Sequence, residues 1–124
     1  MAFETGSAFR FHVPGAHVWT IISDTQQSTS EVLMVSVTTL RGTKDDSCIL
    51  RPGDHSCVAH DSCVMYRKAM IVSVAELESA LAHEIIHEEP FGPDVVARMG
   101  EGAQETDQLS NRARQLLRQQ GLID

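Results

Sequence analysis

The chain has 124 residues and a formal net charge of −7, with 42% hydrophobic residues and three cysteines. That length fits one domain with its own core. The apolar runs are too short for a membrane-spanning helix of roughly 20 residues. An odd cysteine count argues against a disulfide framework and for a reducing, cytoplasmic setting.

Charge is unevenly placed. Residues 75–124 carry 10 acidic and 4 basic side chains, or −6, while residues 1–74 carry 7 and 6. A basic patch for nucleic acid would therefore draw on Arg10, Arg41, Lys44, Arg51, Arg67 and Lys68. The N-terminus has an early Glu and no continuous apolar stretch, so it does not read as a signal peptide.

In chain order, Phe9, Phe11 and Val13 alternate with polar neighbours and predict a short strand or extended arm, closed by Pro14-Gly15. HVWTIIS (17–23) is β-branched and aromatic and predicts a strand. A polar loop follows over 24–31. VLMVSVTTL (32–40) is the strongest strand signal in the chain. Beyond a turn at 41–47, short strands are expected near 48–51, 56–58, 62–66 and 68–72, with Pro52-Gly53-Asp54 as a turn. Several short strands without intervening helices predict a small antiparallel barrel over about 9–72.

The pattern changes at Ser73. Ser73-Val74-Ala75-Glu76 is a capping box, and Val74, Leu77, Leu81 and Ile85 follow at helical spacing, which predicts a helix over 73–86. Gly92-Pro93 opens a second helix expected to break at Gly100 and Gly102. A third is expected from about 107–110 to 120, with Gly121 as its terminating residue. The region 73–120 thus reads as a helical C-terminal part of one 1–124 domain, and 93–120 as an interaction element rather than catalytic core.

Three groups of residues could carry chemistry. His83-Glu84-Ile85-Ile86-His87 matches the H-E-x-x-H zinc-protease pattern. On a helix of about 100° per residue, however, the apolar stripe centres about 180° from His83. The two histidines then read as exposed residues, and no metal site is assigned. Cys48, His55, Cys57, His60 and Cys63 are soft and borderline ligands packed closely in sequence. They lack a C-x-x-C knuckle, and the cysteines read instead as small core residues. The third group is His17, Thr38, Ser62 and the loop histidines His55 and His60. His17 opens one strand and Thr38 ends the next, so both can reach one end of a barrel. An imidazole can deprotonate a ribose 2′-hydroxyl or protonate a leaving oxygen. Thr and Ser can hydrogen-bond a phosphate, and Arg51, Arg67 or Lys68 can offset its charge.

Four runs in this order, HVWTIISD (17–24), VLMVSVTT (32–39), SCVMYRKA (62–69) and SVAEL (73–77), resemble the PemK/MazF toxin family. The chain is most similar to a divergent branch with a C-x-L-x-x-G-D-H pattern, here Cys48, Leu50, Gly53, Asp54 and His55. The branch also has a tail like EPFGPDVVARMGEGA, here Glu89 to Ala103. The resemblance spans about residues 9–120. It implies a mainly β fold, a small SH3-like barrel with C-terminal helices. It also implies a metal-independent endoribonuclease without cofactor, cutting single-stranded RNA as the toxin of a toxin–antitoxin pair, with an antitoxin protein and a second copy of the chain as partners.

In the family an Arg opening the second barrel strand and a Thr ending the next form the usual catalytic pair. Thr38 matches the Thr, and His17 stands at the Arg position. A histidine can act as acid or base but cannot grip a phosphate bidentately as arginine does. The family's G-D-[IV]-W opening is shortened to FRFHVPGA, and Cys57 and Cys63 fall at aromatic positions. The alternative reading is a catalytically inactive SH3-like module that binds protein or nucleic acid.

Overall fold

A computed structural model describes residues 3–13, 15–27, 30–42, 45–80 and 84–124. The element order is β1 (Ala8–Phe11), β2 (Val18–Ile21), β3 (Glu31–Thr39), β4 (Ile49–Leu50), β5 (Ser62–Ser73), α1 (Val74–Ala80), β6 (Ile85–Glu88), α2 (Pro93–Glu105) and α3 (Asn111–Gln119). The strands form one curled sheet in the order β4-β5-β3-β2-β1-β6, with every pairing antiparallel. The fold is mainly β with C-terminal helices, as the sequence implies.

β3 explains its own composition. Val32 to Val37 are all buried, so both faces of the strand are covered, and alternation gives way to a continuous apolar run. Leu33, Val35 and Val37 face one cluster, together with Val18, Leu50, Val64 and Tyr66. Val32 and Met34 face a second, with Phe3, Phe9, Ile21, Leu77 and Ile85.

Opposite the middle of β3 the ladder is irregular. Met34 pairs with Met70 and Ser36 with Met65, so Val35 faces four residues of β5. This bulge merges the two expected strands at 62–66 and 68–72 into one bent strand. It turns Tyr66 into the core and leaves Arg67 and Lys68 exposed. No strand forms at 56–58, which belongs to a turn-rich loop.

Ser73 caps the helix as expected: its Oγ accepts from Glu76 N at 3.0 Å, and the Glu76 carboxylate reaches back to accept from the Ser73 hydroxyl, at 3.0 Å, rather than from its backbone N–H. The helix it starts is shorter than its stripe predicts. Ile85–Glu88 is strand β6, paired with β1 through Phe9↔His87 and Phe11↔Ile85. The β-branched pair Ile85-Ile86 completes the open edge of β1, and Ile85 still reaches the cluster that the helical stripe would have placed it in. Leu81 and His83 lie outside the described residues.

α2 also departs from expectation, running unbroken through Gly100 and Gly102 to Glu105. Gly102 is where the helix touches the sheet. A Cβ there would lie 2.8 Å from Cys48 Cβ and 2.9 Å from Ser47 O, and it would also collide with the Tyr66 hydroxyl. That hydroxyl donates to Met99 O at 2.5 Å. The glycine is a docking surface, at the usual helical cost of Gly relative to Ala of roughly 0.5–1 kcal/mol.

α3 begins at Ser110, whose Oγ accepts from Ala113 N at 3.2 Å. It ends as the sequence predicts, with Gly121 at φ +73° and Leu122 N donating to Leu117 O. Val95, Met99, Ala103, Leu109, Ala113 and Leu117 from the two helices belong to the same cluster as Leu33, Val35 and Val64. The 93–120 region thus supplies six of the 19 buried residues of the main cluster, so it is an integral part of the core as well as a candidate interaction element. Among the described residues, no helix is long and apolar enough to cross a membrane.

Candidate functional site

The β2–β3 register pairs Val18 with Val37, so His17 stands next in line opposite Thr38. The β3–β5 register pairs Thr38 with Cys63 and Thr39 with Ser62. Residues directly opposed across a sheet are neighbours, on strands about 4.8 Å apart. His17, Thr38 and Ser62 all lie at one end of the sheet, where they line a cleft of about 390 Å³. His17 is exposed, Thr38 half-buried and Ser62 buried. The Ser62 hydroxyl donates to His60 O at 2.8 Å, which leaves its oxygen lone pairs toward any incoming donor.

The cleft contains groups that the sequence reading did not assign to chemistry. Arg10 from β1 and Glu88 from β6 line it, with Ser56 and Cys57 from the 51–61 loop. Arg10 Nε donates to Glu88 Oε1 at 2.5 Å. The guanidinium is pinned by that one nitrogen, and among the described residues no hydrogen bond engages its two terminal nitrogens. Arg10 is the one permanent cation among the described lining residues. Its signal in the sequence was an arginine three positions before Val13, the expected end of the first strand, but nothing local indicated that a strand from residues 85–88 would orient it.

Cys57 is exposed as a residue, but partial burial and then the Glu88 carboxylate push its thiol up to about 11. It stays protonated at neutral pH and is a poor nucleophile.

The other expected site residues are elsewhere. His55 is buried, 7% exposed. Its Nε2 lies 2.6 Å from Glu89 O, its Nδ1 accepts from Cys57 N at 3.0 Å, and the ring stacks on Phe91 with centroids 4.1 Å apart. With Nδ1 accepting, the Nε2 proton goes to Glu89 O, so both nitrogens are used and His55 does not reach the cleft. His60 is exposed on the loop and is not a lining residue. Arg51 pairs with Asp61 at 2.6 Å, also outside the cleft. Arg67 and Lys68 leave the sheet at the β5 bulge, opposite Val35, three residues along β3 from Thr38.

The C-x-L-x-x-G-D-H residues act instead as a clamp on the loop. Asp54 Oδ2 accepts from Arg51 N at 2.8 Å, and its Oδ1 accepts from Arg98 Nη1 at 3.0 Å. Arg98 Nη2 donates to Ile49 O at 2.7 Å. The Arg98 hydrogen bond, followed by the Arg51 N–H, holds the Asp54 carboxyl below the ordinary aspartate value. Gly53 at φ +105° permits the turn. Together with His55 on Phe91, these contacts fasten the loop to α2 and set Ser56 and Cys57 on the cleft rim.

The H-E-x-x-H pattern does not form one helical face, because Ile85 to Glu88 is a strand. Among the described residues, no three His, Cys, Asp or Glu side chains converge as a metal-ligand set.

No family model and no curated protein matches the sequence. Among solved structures, the chain is similar to an endoribonuclease in complex with its cognate antitoxin from mycobacterial species. The TM-score is 0.54 at 16% identity, covering 82% of this chain and 91% of that one. At that identity the likeness shows a shared fold.

Proposed function

We propose that this chain is a toxin-type endoribonuclease of the PemK/MazF kind, which cuts single-stranded RNA without a metal and is restrained by an antitoxin protein. The observation that carries the reading is the meeting of His17, Thr38, Ser62 and Arg10 in one cleft, in a fold shared with an endoribonuclease solved with its antitoxin.

The chemistry needs a base, an acid and a cradle for the phosphate. A base takes the proton from the ribose 2′-hydroxyl, and the 2′ oxygen attacks the adjacent phosphorus. The bond from phosphorus to the 5′ oxygen breaks, and that oxygen takes a proton from water, while the protonated base returns its proton to the hydroxide so formed. The products are a 2′,3′-cyclic phosphate and a 5′-hydroxyl. His17 is exposed at the cleft, and its imidazole is the lining group suited to act as the base. Thr38 offers its hydroxyl to a phosphate oxygen, while Ser62, whose single proton goes to His60 O, presents only acceptor lone pairs to the cleft. Arg10 supplies the fork of guanidinium donors that His17 lacks, with Glu88 holding its Nε. The cation is thus delivered by β1, one strand over from where the family resemblance would place it.

Purified protein incubated with mixed-sequence single-stranded RNA in EDTA should cut it. His17→Ala should lose about 10²–10⁴ in rate, as removal of one acid–base group does. Arg10→Lys should fall well below wild type, because charge without the fork is insufficient. Equal cutting by wild type and His17→Ala would overturn the reading. RNA binding without any cutting would instead favour the inactive binding module.

A further inference from the structure

On the far side of α2 from the loop clamp lies a larger groove, about 1230 Å³, between the N-terminal arm, the end of β2, α2 and the C-terminal turn. Its apolar surface comes from Phe91, Val96, Leu117 and Leu122, and Leu122 is 43% exposed. Its polar rim is of one sign. Glu4, Asp24, Glu101, Glu105 and Asp124 all line it, and the described lining residues include no Lys, Arg or His. Glu101 and Glu105 are one helical turn apart on α2, exposed, and among the described residues neither pairs with a cation.

Like charges at that spacing disfavour the helix slightly, and their placement beside exposed apolar surface leaves both unpartnered. An apolar strip flanked by carboxylates is complementary to a segment with one apolar face and lysines or arginines on its borders.

We propose that this groove docks a basic amphipathic segment of a partner protein, its apolar face on Leu122 and Val96 and its cations against Glu101 and Glu105. The surface is separate from the RNA cleft, and the inference does not rest on the cleft's chemistry.

The probe is a fluorescently labelled amphipathic peptide of leucine and lysine, titrated with the full chain and followed by anisotropy. A peptide of the same pattern with glutamate for lysine is the charge-reversed control. Saturable binding of the Leu/Lys peptide alone is expected, and it should weaken as salt is raised. Glu101→Lys should weaken it about 10-fold, since reversal both removes one attraction and adds one repulsion. Leu122→Ser should weaken it as well. Glu78→Lys makes the same change in net charge on exposed α1, away from the groove, and should leave binding within about 2-fold. Equal losses in Glu101→Lys and Glu78→Lys would reduce the effect to net charge and overturn the proposal. Displacement of the peptide by spermidine with no effect of Leu122→Ser would also overturn it, because a small polycation would then be the ligand.

Discussion

Gly100 and Gly102 lie two residues apart in one helix and should respond to the same substitution with opposite signs. An alanine Cβ at Gly100 would meet nothing within 4 Å. Gly100→Ala therefore recovers helix propensity alone, about 0.5–1 kcal/mol of added stability. At Gly102 the same methyl would lie 2.8 Å from Cys48 Cβ and 2.9 Å from Ser47 O, and against the Tyr66 hydroxyl. Ser47 O is backbone, and Tyr66 is held by its hydrogen bond to Met99 O. Neither can yield without lifting α2 from β4 and β5. Overpacking of this kind costs about 1–3 kcal/mol before the propensity gain is subtracted. For a chain of this size, 1 kcal/mol moves Tm by about 4 °C. Thermal unfolding by circular dichroism should show Gly100→Ala up to about 4 °C above wild type and Gly102→Ala several degrees below it. If both alanines raise Tm equally, α2 does not dock on Tyr66 through Gly102, and the account of the helical core is wrong.

Deletion from Gly92 onward should abolish cooperative unfolding in urea, because it removes Val95, Met99, Ala103, Leu109, Ala113 and Leu117 from the main cluster. A truncated chain with a sharp transition would show that the sheet folds alone. Asp54→Asn tests the loop clamp through pH. The hydrogen bonds from Arg98 and the Arg51 N–H hold the folded carboxyl below the ordinary aspartate value. Its stabilisation is therefore complete above the unfolded value of about 3.9 and is lost as pH falls through the folded value. The stability gap between wild type and Asp54→Asn should be largest at neutral pH and should shrink in urea melts below about pH 4. A gap independent of pH would remove the electrostatic part of the argument. Cys57→Ser should leave RNA cutting within about 3-fold of wild type, since the thiol is protonated and is given no step. A loss of 100-fold in the cutting assay would assign it one.

The sequence was most legible where signals are local. The Ser73 capping box and the Gly121 terminus read directly, because each depends on a few adjacent residues. The meeting of His17 with Thr38 was legible from strand order and ends. What was not legible depends on distant partners. Ile85 fits a helical stripe as well as it fits a strand, and only the open edge of β1 decides between them. Gly102 looks like a helix breaker until Tyr66 and Cys48 are beneath it. Asp54 and His55 have the chemistry of a site, but Arg98 and Phe91 occupy them. Arg10 stood out by charge alone, and its fixed place in the cleft depends on β6 returning to present Glu88 beside it. The basic pair Arg67-Lys68 drew attention by charge, and the β5 bulge, four residues opposite Val35, then carried it away from the cleft.

The claim that most needs testing is cleavage through the ribose 2′-hydroxyl in a metal-free cleft. Mixed-sequence RNA and its fully 2′-O-methylated counterpart should be incubated with purified protein in EDTA, and the product ends mapped. The account predicts that only the unmodified RNA is cut, leaving 2′,3′-cyclic phosphate and 5′-hydroxyl ends. Cutting of the methylated strand, or fragments with 5′-phosphate ends, would contradict it.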